Sequence, residues 1–165
     1  MRVLTAEPLT ADVFKPFGDV IEATDRVRQF GINYGNTVRF HDLAHVDVDA
    51  NRGRAGMSIF RSTPLPLPVL IELMEYHPLS SQAFMPLGPK PYLVVVAPKG
   101  DFDAAQIRAF KAEPGQGVNY HAGTWHHFCL ALEGVSDFLV VDRIGDGDNC
   151  VEHHLDEAEK LSVSI

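Results

Sequence analysis

The sequence predicts a mainly β protein, a sandwich or barrel of short strands with few short helices. Short runs of strand character alternate with turn residues along most of the chain. The 11 Pro and 13 Gly are scattered as punctuation, with no repeat, low-complexity stretch or charge run. Only one clear helical opening occurs.

That opening is Thr10 to Phe14, where Thr10 can cap and Pro16 with Gly18 stop propagation within about two turns. Strand-like runs follow at residues 38–43, 57–62, 67–73, 92–97, 106–110, 125–132 and 137–142. Two hairpin turns are expected: Pro98 to Asp101 after the apolar Val94 to Val96, and Glu133-Gly134 between the last two strong strands. The polar stretch 152–160 reads as a short helix or a loose tail, with no chemistry assigned.

A chain of 165 residues fits one domain and can bury its own core without staples. No apolar run is long enough to span a membrane, and residues 1–8 lack the apolar centre of a signal peptide, so a cytoplasmic location is expected. Cys129 and Cys150 are then expected to be reduced packing residues. A formal charge of -8 argues against a nucleic-acid partner, which needs clustered Lys and Arg. A small-molecule partner is favoured, and an acidic protein can still hold an anion on a few inward arginines.

The most informative segment runs from Gly115 to His126. A turn of small residues leads straight into a strand, and alternation along 125–132 places His126 on one face with Phe128, Leu130 and Leu132. A histidine in apolar company is either a satisfied core residue or a ligand, acid or base in a pocket. Alternation also groups Met57, Ile59 and Arg61. Arg61 either reaches solvent at the strand end or points inward to hold a carboxylate through bidentate hydrogen bonds. Arg143 poses the same question, with Asp142 or Asp146 as a structural partner. Asn33 and His41-Asp42 read as turn or surface residues. No nucleophile elbow, phosphate loop or paired-cysteine zinc signature occurs.

The spacing from Gly115 to His126 resembles the second cupin motif, with His121 in place of the usual Pro. Glu75, His77, Gln82 and Gly88 form a degraded counterpart of the first motif. Together they suggest a metal set of Glu75, His77, Gln82 and His126. Gln is a weak neutral ligand, whereas His and carboxylate suit nickel, zinc or iron.

Over nearly its full length the chain resembles the ureidoglycolate lyase family. The matching stretches are Phe17 to Glu22, His77 to Phe84, Gln116 to His121 with Trp125-His126-His127, and Asp137 to Arg143, with Arg61 and Asp148-Asn149-Cys150. The resemblance implies a cupin-like β-barrel (a double-stranded β-helix or jelly roll), a homodimer, and release of urea from (S)-ureidoglycolate to give glyoxylate in allantoin breakdown. It also implies a divalent metal, usually Ni2+ (nickel). Acid and base roles fall to His121, His126 and His77, and substrate contacts to Arg61, Gln82, Asn119, Tyr120 and Arg143. The alternatives are another cupin enzyme on a small hydroxy or keto acid, and a non-catalytic module that binds a carboxylate metabolite.

Overall fold

The computed structural model describes residues 1–165 and stacks β-sheets in three layers. The central sheet runs, in order, through Val151–His154, Leu73–Tyr76, Trp125–His126, Tyr92–Ala97, Arg108–Ala112 and Glu7–Pro8. An outer sheet orders Gly18–Ile21, Gly117–Tyr120, Gln82–Pro86, Ser136–Ile144 and Arg54–Ser62. A three-stranded cover sheet of Arg2–Thr5, Leu161–Ser164 and Val69–Ile71 closes the other side, its first two strands parallel. A separate hairpin pairs Gln29–Ile32 with Thr37–Phe40. The mainly β expectation, in keeping with a cupin-like fold, holds.

The layering explains the unbroken apolar run at 92–97. Tyr92, Val94 and Val96 pack with Phe84, Val118, Phe138 and Val140 of the outer sheet. Leu93, Val95 and Ala97 pack with Val69, Ile71, Leu161 and Val163 of the cover sheet. A strand buried on both faces loses the alternation of a half-exposed one. The helix Ala11–Phe14, capped by Thr10, drives Phe14 into the first of these cores, edge-on to Phe110 at 5.9 Å. No helix is long and apolar enough to cross a membrane.

Several elements differ from the sequence expectation. Residues 67–73 divide between two sheets, as Val69–Ile71 and the start of Leu73–Tyr76. Glu133-Gly134 is no hairpin turn: Leu130–Ala131 pairs with the central sheet, and Ser136–Ile144 crosses to the outer one. The polar C-terminal stretch contributes the strand Val151–His154, whose partner Leu73–Tyr76 supplies the pairing that its own composition does not advertise. The strand around His126 is broken. Trp125–His126 and Leu130–Ala131 flank an irregular step at 127–129, which shifts the alternation by one residue. Leu130 and Leu132 therefore share the second core with Trp125, not with His126, and Phe128 is exposed.

Candidate active site

Gly115 and Gly123 both adopt positive φ (88° and 82°), the left-handed region that glycine enters without a Cβ clash. They bracket the turn that delivers His126. That turn is tied down by Thr124, whose amide donates to the His121 carbonyl and whose hydroxyl donates to the Phe17 carbonyl at 2.9 Å. Trp125–His126 then pairs on both sides, setting His126 opposite Val96 and Glu75. His126 is 1% exposed and lies flat on Tyr120, ring centroids 4.3 Å apart and planes 2° apart. Its Nδ1 faces the His127 carbonyl at 3.2 Å and so carries the proton, which leaves Nε2 an acceptor with no partner. Burial, reinforced by neighbouring His77, lowers its pKa to about 3. The imidazole is neutral at pH 7, with a lone pair free for a metal or a proton.

His127 is also buried, with its pKa lowered to about 4 mainly by desolvation. In the unfolded chain both imidazoles titrate near 6.5. Between that pH and about 4 the unfolded state binds more protons, so stability is full above 6.5 and falls on acidification. The loss approaches about 1.4 kcal/mol per pH unit per group. For chelator-treated protein the urea midpoint should drop between pH 7 and pH 5, and His127→Gln should lessen that slope by roughly half. An unchanged slope in the variant would show that His127 does not drive it.

His77 lies 5.1 Å from His126, centroid to centroid. Its Nδ1 faces the Asn149 carbonyl and its Nε2 faces Gln82 Oε1 at 3.1 Å. Gln82 is held in that orientation because its amide nitrogen donates to Asp142 Oδ2 at 3.1 Å. An acceptor faces each ring nitrogen, so His77 can donate from either one. The cup thus sets an imidazole that can receive a proton beside one that is placed to give one.

Glu75 completes the group, its Oε1 3.8 Å from His126 Nδ1. Desolvation raises its pKa, partly offset by His77. Ligand atoms of Glu75, His77 and His126 lie within 4.8 Å of one another. Two nitrogens and a carboxylate, one nitrogen buried and unpartnered, fit a borderline divalent ion such as nickel or zinc. The carbonyl on His126 Nδ1 is the orienting contact that such ligands have.

The remaining predicted residues are distributed unevenly. Gln82 and Tyr120 belong to the cup, the first as the link from His77 to Asp142 and the second as the shelf under His126. His121 and Asn119 do not. Along Gly117–Tyr120, Val118 and Tyr120 point into the core, so Asn119 and His121 face the opposite side of the sheet, Asn119 fully buried and His121 exposed. His121 Nε2 meets Asp19 at 3.1 Å, and Asn119 donates to Asp19 and to the His45 carbonyl. Met57, Ile59 and Arg61 do share a face, but it is the outer one: Met57 is 76% exposed and the Arg61 side chain 72%. Arg61 makes a bidentate pair with Asp137 at 2.8 and 2.9 Å. Arg143 is buried and donates to the carbonyls of Ala50 and Asp146, clamping two loops instead of pairing with a carboxylate.

Asp142 and Asn149 carry the His77 network, and the sequence alone gives neither a place beside His77. Counting inward positions along Ser136–Ile144 from Phe138 and Val140 would have reached Asp142. Asn149 works through its backbone carbonyl, for which no side-chain pattern exists. The mouth of the cup is a cavity of about 330 Å³ whose lining includes Phe60, Glu75, Gln82, Phe84 and Cys129, with Arg61 its one Lys or Arg. Surface concavities elsewhere are larger, about 420 and 650 Å³. Convergent buried chemistry, not volume, singles out the mouth.

The ureidoglycolate lyase family model matches residues 1–163. The chain belongs to the ureidoglycolate lyase family. Relatives named ureidoglycolate lyase include one from Pseudomonas syringae pv. tomato, 54% identical over 98% of this chain and 95% of its own length. Others come from Burkholderia mallei, 54% identical over 96% and 92%, and Pseudomonas putida, 51% identical over 99% and 98%. The match spans residues 1–163 of the chain, so it takes in both the cup and the cover sheet. Among solved structures, WlaRA (TDP-fucose-3,4-ketoisomerase) from Campylobacter jejuni aligns over 78% of this chain and 82% of its own, with TM-score 0.41 and 11% identity. That likeness is too loose to bear on activity.

Proposed function

We propose that the chain is a ureidoglycolate lyase, converting (S)-ureidoglycolate to glyoxylate and urea, and that its chemistry takes place between His126 and His77. The observation that carries this reading is the contrast between those two rings. One is buried and neutral with a free Nε2, and the other is flanked by acceptors at both nitrogens. The reaction needs that contrast. A proton leaves the substrate hydroxyl, the carbon–oxygen bond becomes a carbonyl, the carbon–nitrogen bond breaks, and the departing urea nitrogen takes up a proton.

In this scheme His126 Nε2 accepts the hydroxyl proton and His77 protonates the leaving nitrogen. Gln82 and Asp142 hold His77 in place. The substrate carboxylate competes with Asp137 for Arg61, the cation at the mouth. Where Glu75, His77 and His126 hold a divalent ion instead, nickel by family resemblance, the ion would occupy the His126 Nε2 lone pair and one His77 nitrogen in place of their proton-transfer roles, and it would lower the hydroxyl pKa. A cytoplasmic homodimer of single-domain chains acting in allantoin catabolism completes the proposal.

The metal part is tested by exhaustive chelation followed by addition of Ni2+. Glyoxylate release should fall at least tenfold and return with the ion, because an ion at this position would carry much of the hydroxyl activation. Full turnover in the stripped protein would leave the histidines to act without it.

A further inference from the structure

A second group of metal-ligating side chains shares Glu75 with the cupin-type set. Ligand atoms of Glu75, Cys150 and Glu152 lie within 4.8 Å of one another. Glu75 and Glu152 are direct partners across the antiparallel pair of Leu73–Tyr76 and Val151–His154. Like charges directly opposite on a strand pair repel, and nothing in the packing requires a second carboxylate at an exposed position. Cys150, just before the strand, brings its Sγ to 3.7 Å from Glu75 Oε2, and its thiol is exposed. Exposed His154 stands 3.5 Å from Glu152 as a further nitrogen within reach.

Glu75 joins this trio to the buried pair. One carboxylate oxygen faces Cys150, and the other lies 3.8 Å from His126 Nδ1, the ring nitrogen that faces the His127 carbonyl. We infer that Glu75 is shared between two cation positions: the inner one with His77 and His126, and an outer one with Cys150 and Glu152 that takes a soft or borderline divalent ion such as Zn2+ or Cd2+. The thiolate selects the ion class, since hard Mg2+ and Ca2+ prefer all-oxygen shells. Binding releases the Cys150 thiol proton to solvent, and the two carboxylates and the thiolate offset the ion's charge. An ion held there shares the Glu75 carboxylate with the His77–His126 cup. The inference holds whether or not the chain cleaves ureidoglycolate, because its readouts need no turnover.

The test is a Cd2+ titration of the reduced, chelator-stripped full-length chain. It follows the ultraviolet thiolate-to-metal charge-transfer band and the Cd2+ retained per chain after desalting. The wild type should show the band and retain two ions. Cys150→Ser should lose the band and one ion with an unchanged melting temperature, its site being exposed. Glu152→Gln should weaken the band-forming step by at least the roughly 10–100-fold that removal of an outer-sphere partner costs. His126→Asn should lose the other ion and keep the band. Absence of the band in the wild type, or two ions retained by Cys150→Ser, overturns the inference. A band of unchanged affinity in both Glu75→Gln and Glu152→Gln also overturns it, since a bare thiol would then be binding alone.

Discussion

Replacing His126 with alanine is expected to lower glyoxylate release from (S)-ureidoglycolate by about 10²–10⁴-fold, the range that a positioned general base contributes. The expectation follows from one atom. Nε2 is buried and unpartnered, and burial holds the ring neutral well below pH 7. An acceptor kept in that state serves no bond of the fold, and evicting it leaves the backbone ladder to Val96 and Glu75 unchanged. Because alanine opens a space beside Tyr120, His126→Asn supplies a second variant that refills part of it. Both should lose turnover and keep the wild-type circular dichroism, with His126→Ala lowering the denaturant midpoint more than His126→Asn. Turnover within about threefold of wild type in either variant would remove His126 from the chemistry.

The second large effect concerns the support beneath the cup. Phe138 is fully buried, edge-on to Tyr92 at 5.1 Å and Phe84 at 6.5 Å, where the outer sheet meets the central one. Phe138→Ala removes a ring that no neighbour can replace and should cost about 3–5 kcal/mol. That is a large share of the 5–15 kcal/mol that a typical domain has. Four residues further on, the same strand carries Asp142, which fixes Gln82 and through it His77. Loosening the strand should therefore reduce activity at temperatures where the protein is still folded. Urea denaturation measures the first effect. A loss below about 1 kcal/mol would mean that the two sheets do not share this core.

Much of the architecture was legible because apolar residues carry it. The run at 92–97, the strand around Val140 and the Thr10-capped helix all announce themselves by residue type. Short strands that mix Gly, Pro, Asp, Asn or Gln with apolar residues, such as Gly18–Ile21, Gln82–Pro86 and Gly117–Tyr120, do so less plainly, since pairing and burial settle what their mixed composition leaves open. The candidate site divides on the same line. His126, His77, Gln82 and Glu75 follow from motif spacing, and the structure brings them together. His121 was attached to them by proximity in sequence. Alternation turned it outward, onto Asp19, because the inward position beside it is taken by Tyr120. Arg61 shows what alternation leaves open. Its apolar neighbours Met57 and Ile59 suggest an interior, yet all three lie on an exposed outer face. Hydrophobic company marks a shared face without saying which side of the sheet it covers. Cys150, read as packing, stands exposed beside Glu75, since the strand that places it there carries no apolar signal.

Product analysis is the most direct test of the proposed activity. Purified chain incubated with (S)-ureidoglycolate should release urea and glyoxylate in equal amounts as the substrate disappears, with no ammonia. No turnover, or ammonia formed in place of urea, would contradict the lyase reading and leave the His77–His126 cup without its reaction.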